Sequence, residues 1–332
     1  MCYALFKLQL FENNFLTIKQ SSKEDFFIVP AMTSDKSFTI PENSTNLDVP
    51  CQGDICSPIY DSEHVFINYE RKLGKGSYGS VYESRIFGSN NVYAAKKIRV
   101  RHENAQTFHD VSKESEVQYK LAKNSDAFPK VICISFTKNS VIIVMEKIGI
   151  TLLDAIYRKL NNEAEVKDCI LQLLRGAKEM HEQKIAHMDI KPENIGITVN
   201  IDESLSFKYL DFSTDTICEI DENSMGLPHG GTPEYASPEA WRSCKTDNNI
   251  RCDLADTWSI GCTILQMITG IPPWQGISLG VFMRKLCNGN HPDVPSEIPD
   301  TVRDFILECF KNDDERLSPS ELLTQYHDVL TH

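Results

Sequence analysis

From Val65 to Glu146 the chain runs in short stretches where apolar and polar residues alternate, the period-two signature of strands. Val65–Leu73, Ser80–Arg85, Val92–Val100, Val131–Phe136 and Ser140–Glu146 carry it, and Gly88-Ser-Asn-Asn91 supplies hairpin chemistry between the second and third. One stretch of helical spacing, Asp110–Ala122, interrupts them. After Gly149 the period lengthens to that of helices, over Leu152–Leu160, Glu165–Gln183, Ser237–Ser243, Asp253–Thr269, Leu279–Cys287, Val302–Phe310 and Pro319–Leu330. Strands first and helices afterwards predict an α+β chain, a small sheet-rich lobe followed by a larger helical one.

Residues 19–62 read differently. Ser, Asn, Asp and Thr dominate, and Pro30, Pro41, Pro50 and Pro58 are spaced through them. Proline removes backbone donors and fixes φ, so residues 1–64 read as a mostly disordered extension, with a short ordered piece near Phe26-Phe27-Ile28-Val29. Composition narrows the partners. Against 34 Lys+Arg stand 47 Asp+Glu, a net charge of -13, which argues against a protein that wraps nucleic acid. The 11 cysteines are scattered without zinc-ligand spacing, as expected of free thiols in a reducing compartment. No stretch reaches the ~18 apolar residues of a membrane helix and no signal-peptide pattern opens the chain, so the expectation is a cytoplasmic or nuclear location.

Leu73-Gly-Lys-Gly-Ser-Tyr-Gly-Ser-Val81 has the spacing GxGxxG. A dinucleotide fingerprint would run from strand through glycines into a helix. Here the residues after Gly79 alternate as a strand does, which puts the glycines in a hairpin, either cradling phosphate oxygens with backbone N–H groups or simply turning the chain. Fifteen residues after Val81, Lys96 shares a strand face with Ala94 and Ile98, whereas Tyr93, Ala95, Lys97 and Arg99 take the other. An ammonium on the apolar face needs a partner; Lys97 suits a surface position better.

At His187-Met-Asp-Ile-Lys-Pro-Glu-Asn-Ile195 the pattern becomes specific. Together with the glycine-rich segment, Ala94-Ala-Lys96, Leu210-Asp-Phe-Ser213 and Ser237-Pro-Glu239, in that order, it resembles the eukaryotic-type Ser/Thr protein kinase family over about residues 65–330. The resemblance implies a two-lobed α+β kinase domain over 65–332. Its N-lobe, 65–146, would hold a small antiparallel sheet and one main helix; its C-lobe, 149–330, would be helical. It implies ATP and Mg²⁺ as cofactors and Ser/Thr hydroxyls of proteins as acceptors, and leaves the oligomeric state open.

The roles carried over are these. Leu73, Gly74, Lys75, Gly76, Ser77, Tyr78, Gly79, Val81 and Ala94 would enclose the nucleotide, Met145 stands at the gatekeeper position, and Glu146 to Ile148 would bond adenine through their backbone. Lys96 would hold the α- and β-phosphates and pair with a glutamate of the first helix, Glu114 or Glu116. Glu114 is favoured because Val117 and Leu121 follow at +3 and +7. Asp189 would be the base and Lys191 would neutralise charge on the transferred phosphoryl, with Asn194 and Asp211 holding Mg²⁺. Thr232 is expected to bond Asp189 and Lys191, His187 to pack under Phe212, Asp256 to bond the catalytic-loop backbone and Arg316 to pair with Glu239.

Several positions depart from the family pattern. Met188 replaces the arginine that receives a loop phosphate, beside an acidic segment containing Asp215, Glu219, Asp221 and Glu222. The expectation is activity without activation-loop phosphorylation, although Thr214, Thr216 and Ser224 are available. Ser213 replaces a glycine, Ser237 an alanine, and Gly196 the aliphatic residue under adenine, which loosens that floor. Glu193 and Glu234 match positions that bind arginine in basophilic kinases, with Gln266 where those carry Glu; this leans slightly to basic substrates. The alternative reading is a pseudokinase scaffold, against which Lys96, Asp189, Asn194, Asp211 and all three glycines are retained. A metabolite kinase is disfavoured by the complete Gly231–Glu239 segment.

Overall fold

The protein is described here by a computed structural model, which covers residues 7–11, 15–19, 65–75, 79–99, 117–137, 140–158, 162–212, 218–219, 231–246 and 250–331. It divides into two compact units, Met1–Tyr119 with Lys130–Lys147, and Lys120–Pro129 with Ile148–His332.

The first unit opens with a hairpin that the reading of residues 1–64 did not anticipate: β1 (Lys7–Phe11) and β2 (Phe15–Lys19), antiparallel. Its register pairs Leu8 with Ile18 and Leu10 with Leu16, so the alternation in Lys7-Leu-Gln-Leu-Phe11 was the missed signal. Phe26–Val29 lies outside the described residues.

Five antiparallel strands follow, β3 (Val65–Lys75), β4 (Gly79–Ile86), β5 (Val92–Arg99), β6 (Val131–Thr137) and β7 (Ser140–Glu146), in the order β3-β4-β5-β7-β6. Gly88 closes the β4–β5 turn at φ 76°, a conformation that costs glycine nothing. Both sheet faces carry an apolar cluster. Val65, Ile67, Ile86, Ala95, Ile142 and Val144 bury one, and Ile98, Val141 and Ile143 the other. Helix α1 is described over residues 117–124.

In the second unit a two-residue strand, β8 (Ile150–Thr151), leads into α2 (Leu152–Tyr157), and α3 (Glu163–Glu182) follows. Each helix begins with a capping box, Thr151 with Asp154 and Asn162 with Glu165, which satisfies backbone donors the helix cannot. α2 ends three residues short of the predicted Leu160. Beyond β9 (Ile185–Ala186) lies a second hairpin absent from the sequence reading, β10 (Ile195–Val199) and β11 (Leu205–Tyr209), followed by β12 (Cys218–Glu219), paired with β9.

Then come α4 (Pro238–Thr246), α5 (Cys252–Thr269), α6 (Leu279–Cys287), α7 (Asp300–Cys309) and α8 (Pro319–Thr331). α5 is buried on every side, from Cys252 and Leu254 through Met267, and stops at Gly270, whose φ of 71° caps it. A helix buried all round forms the axis of its unit. α3 presents one apolar stripe, and Gly176 on it lets the Tyr209 ring approach: a Cβ there would lie 2.8 Å from Tyr209 Cε2. Tyr209 completes the contact by donating its hydroxyl to Leu173 O at 2.7 Å.

Candidate functional site

The loop of residues 187–194 joins β9 to β10, and a buried carboxylate on α5 shapes it. Asp256 Oδ2 accepts the His187 N–H at 2.9 Å and Oδ1 accepts the Met188 N–H at 2.8 Å. Met188 takes φ 62° to make this possible, a left-handed conformation that costs a non-glycine residue about 1 kcal/mol or more. His181 Nε2, on α3, shares Oδ2 at 2.8 Å. That histidine was not singled out from the sequence, because nothing local links it to a carboxylate 75 positions away.

His187 is fully buried. Its Nδ1 accepts the Asp189 N–H at 3.3 Å, so the ring proton sits on Nε2, which donates to Leu210 O at 2.9 Å. With its ring 5.3 Å from that of Phe212 and both nitrogens engaged, His187 positions the loop and has no free atom for proton transfer.

Asp189 follows directly. Its Oδ2 accepts hydrogen bonds from Lys191 Nζ and Asn194 Nδ2, each at 2.9 Å, and Asn194 Nδ2 also donates to Asp189 O. Oδ1 is buried and has no hydrogen-bond partner among the described residues. A buried acceptor left without a donor costs ~1–3 kcal/mol, and Oδ1 is the carboxylate oxygen of Asp189 with accepting capacity left. Lys191 Nζ donates as well to Thr232 Oγ1 at 2.5 Å. The expected bond from Thr232 to Asp189 is therefore not direct; Lys191 bridges the two.

Asn194 and Asp211 come together through the β10–β11 hairpin. Ile195 pairs with Tyr209, Leu210 N–H donates to Asn194 O at 2.8 Å, and Asp211 is the next residue, at φ 61°. Because Asn194 turns its amide nitrogen to Asp189, its Oδ1 is the atom left for a cation. One amide oxygen and one carboxylate are hard donors of the number Mg²⁺ takes from protein when phosphates and water complete its shell, so the residues present fit that ion. Gly196 does not leave a hollow: a Cβ there would meet Ile148 Cγ2 at 2.5 Å and Leu210 Cδ1 at 3.2 Å. The loosened floor expected from the sequence is instead filled by these two side chains.

At the end of this segment, Glu239 on α4 receives Arg316 NH1 at 2.5 Å, and Arg316 also donates to Leu254 O and Lys311 O. The Met188 side chain packs against Ala186, Ala240, Ile250 and Cys252.

In the first unit, the register pairs Val81 with Lys96, Ala94 with Met145 and Lys96 with Ile143, which sets Val81, Ala94, Lys96 and Met145 on one sheet face. Lys96 is only 6% exposed. Lys97, on the opposite face, is half-buried rather than a simple surface lysine, and its Nζ donates to Tyr69 OH at 3.0 Å. Gly79 is needed where β4 passes β5, since a Cβ would lie 2.5 Å from Lys97 O. Leu73 is exposed, Gly74 pairs with Val81 and the backbone of Lys75 with Ser80. Gly76, Ser77, Tyr78, Glu114, Glu116, Ser213 and residues 214–217 and 220–230 lie outside the described residues.

Comparison with known proteins agrees with this layout. Residues 67–327 match the family described as protein kinase domain. MAP3K epsilon protein kinase 1 of Arabidopsis thaliana is 26% identical over 260 residues, 77% of this chain and 18% of the relative. Mitogen-activated protein kinase kinase kinase 1 of the same plant is 28% identical over 305 residues, 90% and 48%. Mitogen-activated protein kinase kinase kinase 5 of Homo sapiens is 30% identical over 318 residues, 91% and 21%. The chain thus spans less than half the length of each of these relatives. Because the family match runs from the first strand of the large sheet into the last helix, the chain belongs to the protein kinase domain family.

Proposed function

We propose that this protein is an ATP-dependent protein Ser/Thr kinase, moving the γ-phosphate of ATP to Ser or Thr hydroxyls of other proteins. The observation that carries it is Asp189: one carboxylate oxygen is held by Lys191 and Asn194, and the other accepts no hydrogen bond from the described residues. An acceptor hydroxyl donating to Oδ1 would be oriented for attack and would pass its proton there. Lys191, fixed between Asp189 and Thr232, brings positive charge to the transferred phosphoryl, and Lys96 does the same for the α- and β-phosphates. Mg²⁺ held by Asn194 Oδ1 and Asp211 would offset charge on the β- and γ-phosphate oxygens. The test is transfer from γ-labelled ATP by the full chain, with Asp189→Asn as control. Nucleotide binding without transfer, unchanged by that control, would support a scaffold instead.

Two finer readings belong with this one. Activity does not require activation-loop phosphorylation, since the side chain at position 188 is a thioether seated among Ala186, Ala240, Ile250 and Cys252, with no charge to receive a phosphate. Loss of all activity on phosphatase treatment would refute it. Substrates carry a basic residue near the acceptor, because Glu193 and Glu234 are exposed. Gln266 does not contribute: it is 3% exposed and accepts the Tyr235 hydroxyl. A peptide array preferring acidic sites would overturn this. Relatives named mitogen-activated protein kinase kinase kinase make a protein kinase kinase a sensible first protein substrate to assay.

A further inference from the structure

Strand β4 carries a carboxylate on the sheet face that holds Lys96. Glu83 is opposite Ala94 in the β4–β5 register, and Ala94 is opposite Met145 in the β5–β7 register. Glu83 is 7% exposed. Its main partner is Lys147, the residue just after β7, whose Nζ donates to Oε2 at 2.9 Å; Arg71, largely exposed, stands at 3.7 Å. The Lys147 hydrogen bond, against the opposing effect of burial, holds the Glu83 carboxyl below the usual range and keeps it charged.

The residue before Lys147 is tied on the other side. Glu146 N–H donates to Lys130 O at 2.8 Å, and its Oε2 accepts the Lys130 N–H at 3.2 Å. The segment leaving the sheet therefore has two fixed points. Glu146 is held at the entry of β6, while Lys147 is held across the sheet on β4, with Ala94 of β5 between them in the register.

Stability alone is a poor reason for this arrangement. A pair with one end a third exposed contributes little to stability, whereas an apolar residue at position 83 would avoid the cost of burying a carboxylate. What the pair does provide is geometry.

We infer that Glu83 is a positioning residue for the base of the nucleotide: through Lys147 it fixes the backbone of the segment beginning at Glu146, whose amide and carbonyl groups bond adenine. The inference rests on the kinase reading above. It names a residue two positions after Val81 that acts without touching the nucleotide.

The test uses the full chain with Mg²⁺ and varied ATP, comparing wild type with Glu83→Gln, Lys147→Met and Lys147→Arg, alongside calorimetric binding of ADP and thermal denaturation. Glu83→Gln and Lys147→Met are each expected to raise the KM for ATP about two- to fivefold while kcat changes less than about twofold. Lys147→Arg, which keeps the charge, is expected to raise KM less than Lys147→Met does. Because Lys147 is at the exposed end, Lys147→Met keeps the test decisive even where Glu83→Gln folds poorly. A KM unchanged in Lys147→Met, or a loss of thermal stability with KM intact, overturns the inference and leaves the kinase reading standing. A wild type that neither binds ADP nor transfers phosphate overturns both.

Discussion

Met188 gives its backbone N–H to the buried Asp256 carboxylate while its side chain packs on the other side of the loop against Ala240, Ile250 and Cys252. The residue that replaces the usual loop arginine is thus held from both ends by α5 and its neighbourhood. A left-handed φ is what turns two successive N–H groups, of His187 and Met188, onto the same carboxylate.

Asp256→Asn tests that arrangement. The amide can accept at one position only, so its NH₂ must face either the Met188 N–H or the pair formed by His187 and His181. Urea denaturation is expected to show a loss of about 2–4 kcal/mol, with phosphate transfer reduced further than the lost stability explains.

Arg316 and Glu239 form a pair with side chains 0% and 6% exposed. Arg316→Leu leaves the carboxylate buried alone and empties the carbonyls of Leu254 and Lys311. The expected cost is ~3–5 kcal/mol by denaturant titration, and the double replacement Arg316→Leu with Glu239→Leu should recover part of it.

Acid should weaken the first unit through Glu83. Its carboxyl ionises more readily in the folded chain than in the unfolded one, through the Lys147 hydrogen bond. In the window below about pH 4.5 the unfolded chain therefore binds more protons, so stability falls as pH falls through the folded pKa. Glu83→Gln is expected to flatten the pH dependence of the midpoint between about pH 5 and pH 3; an unchanged slope would show that the pair carries no linkage.

Thiol reactivity offers a check on packing. Burial pushes the Cys133 thiol up to about 12, and the thiols of Cys169, Cys262 and Cys309 upward as well, whereas Cys287 is exposed. Since the thiolate is the nucleophile, native labelling at pH 8 should modify Cys287 first among the described cysteines. Peptide mapping that found Cys169 or Cys309 labelled as fast would contradict the buried core of α3, α5 and α7.

Much of the site was readable because it is local. Asp189, Lys191 and Asn194 lie within six residues and hydrogen-bond one another directly, although the loop that carries them is also held by Asp256 on α5. The placement of Lys96 with Ala94 on one strand face followed from period-two alternation. The short strands were less legible. Ile195–Val199 contains Gly196 and Leu205–Tyr209 contains Lys208, so neither run reads as a strand until the other is beside it. The β1–β2 hairpin was hidden by its surroundings, the polar residues Glu12, Asn13 and Asn14 between the strands and a Pro-rich sequel that suggested no regular structure.

Residue type and spacing in the chain were enough for the family and for the sequence of a strand-rich segment followed by a helical one, because motifs and periodicity depend on near neighbours. Folding in three dimensions settled what distant residues do to them. It put His181 and Met188 on one carboxylate, put Lys191 between Asp189 and Thr232, filled the space above Gly196 with Ile148 and Leu210, and gave Glu83 to Lys147. Each of these includes a contact between positions tens of residues apart, and that pairing depends on packing and burial, which no pattern along the chain encodes.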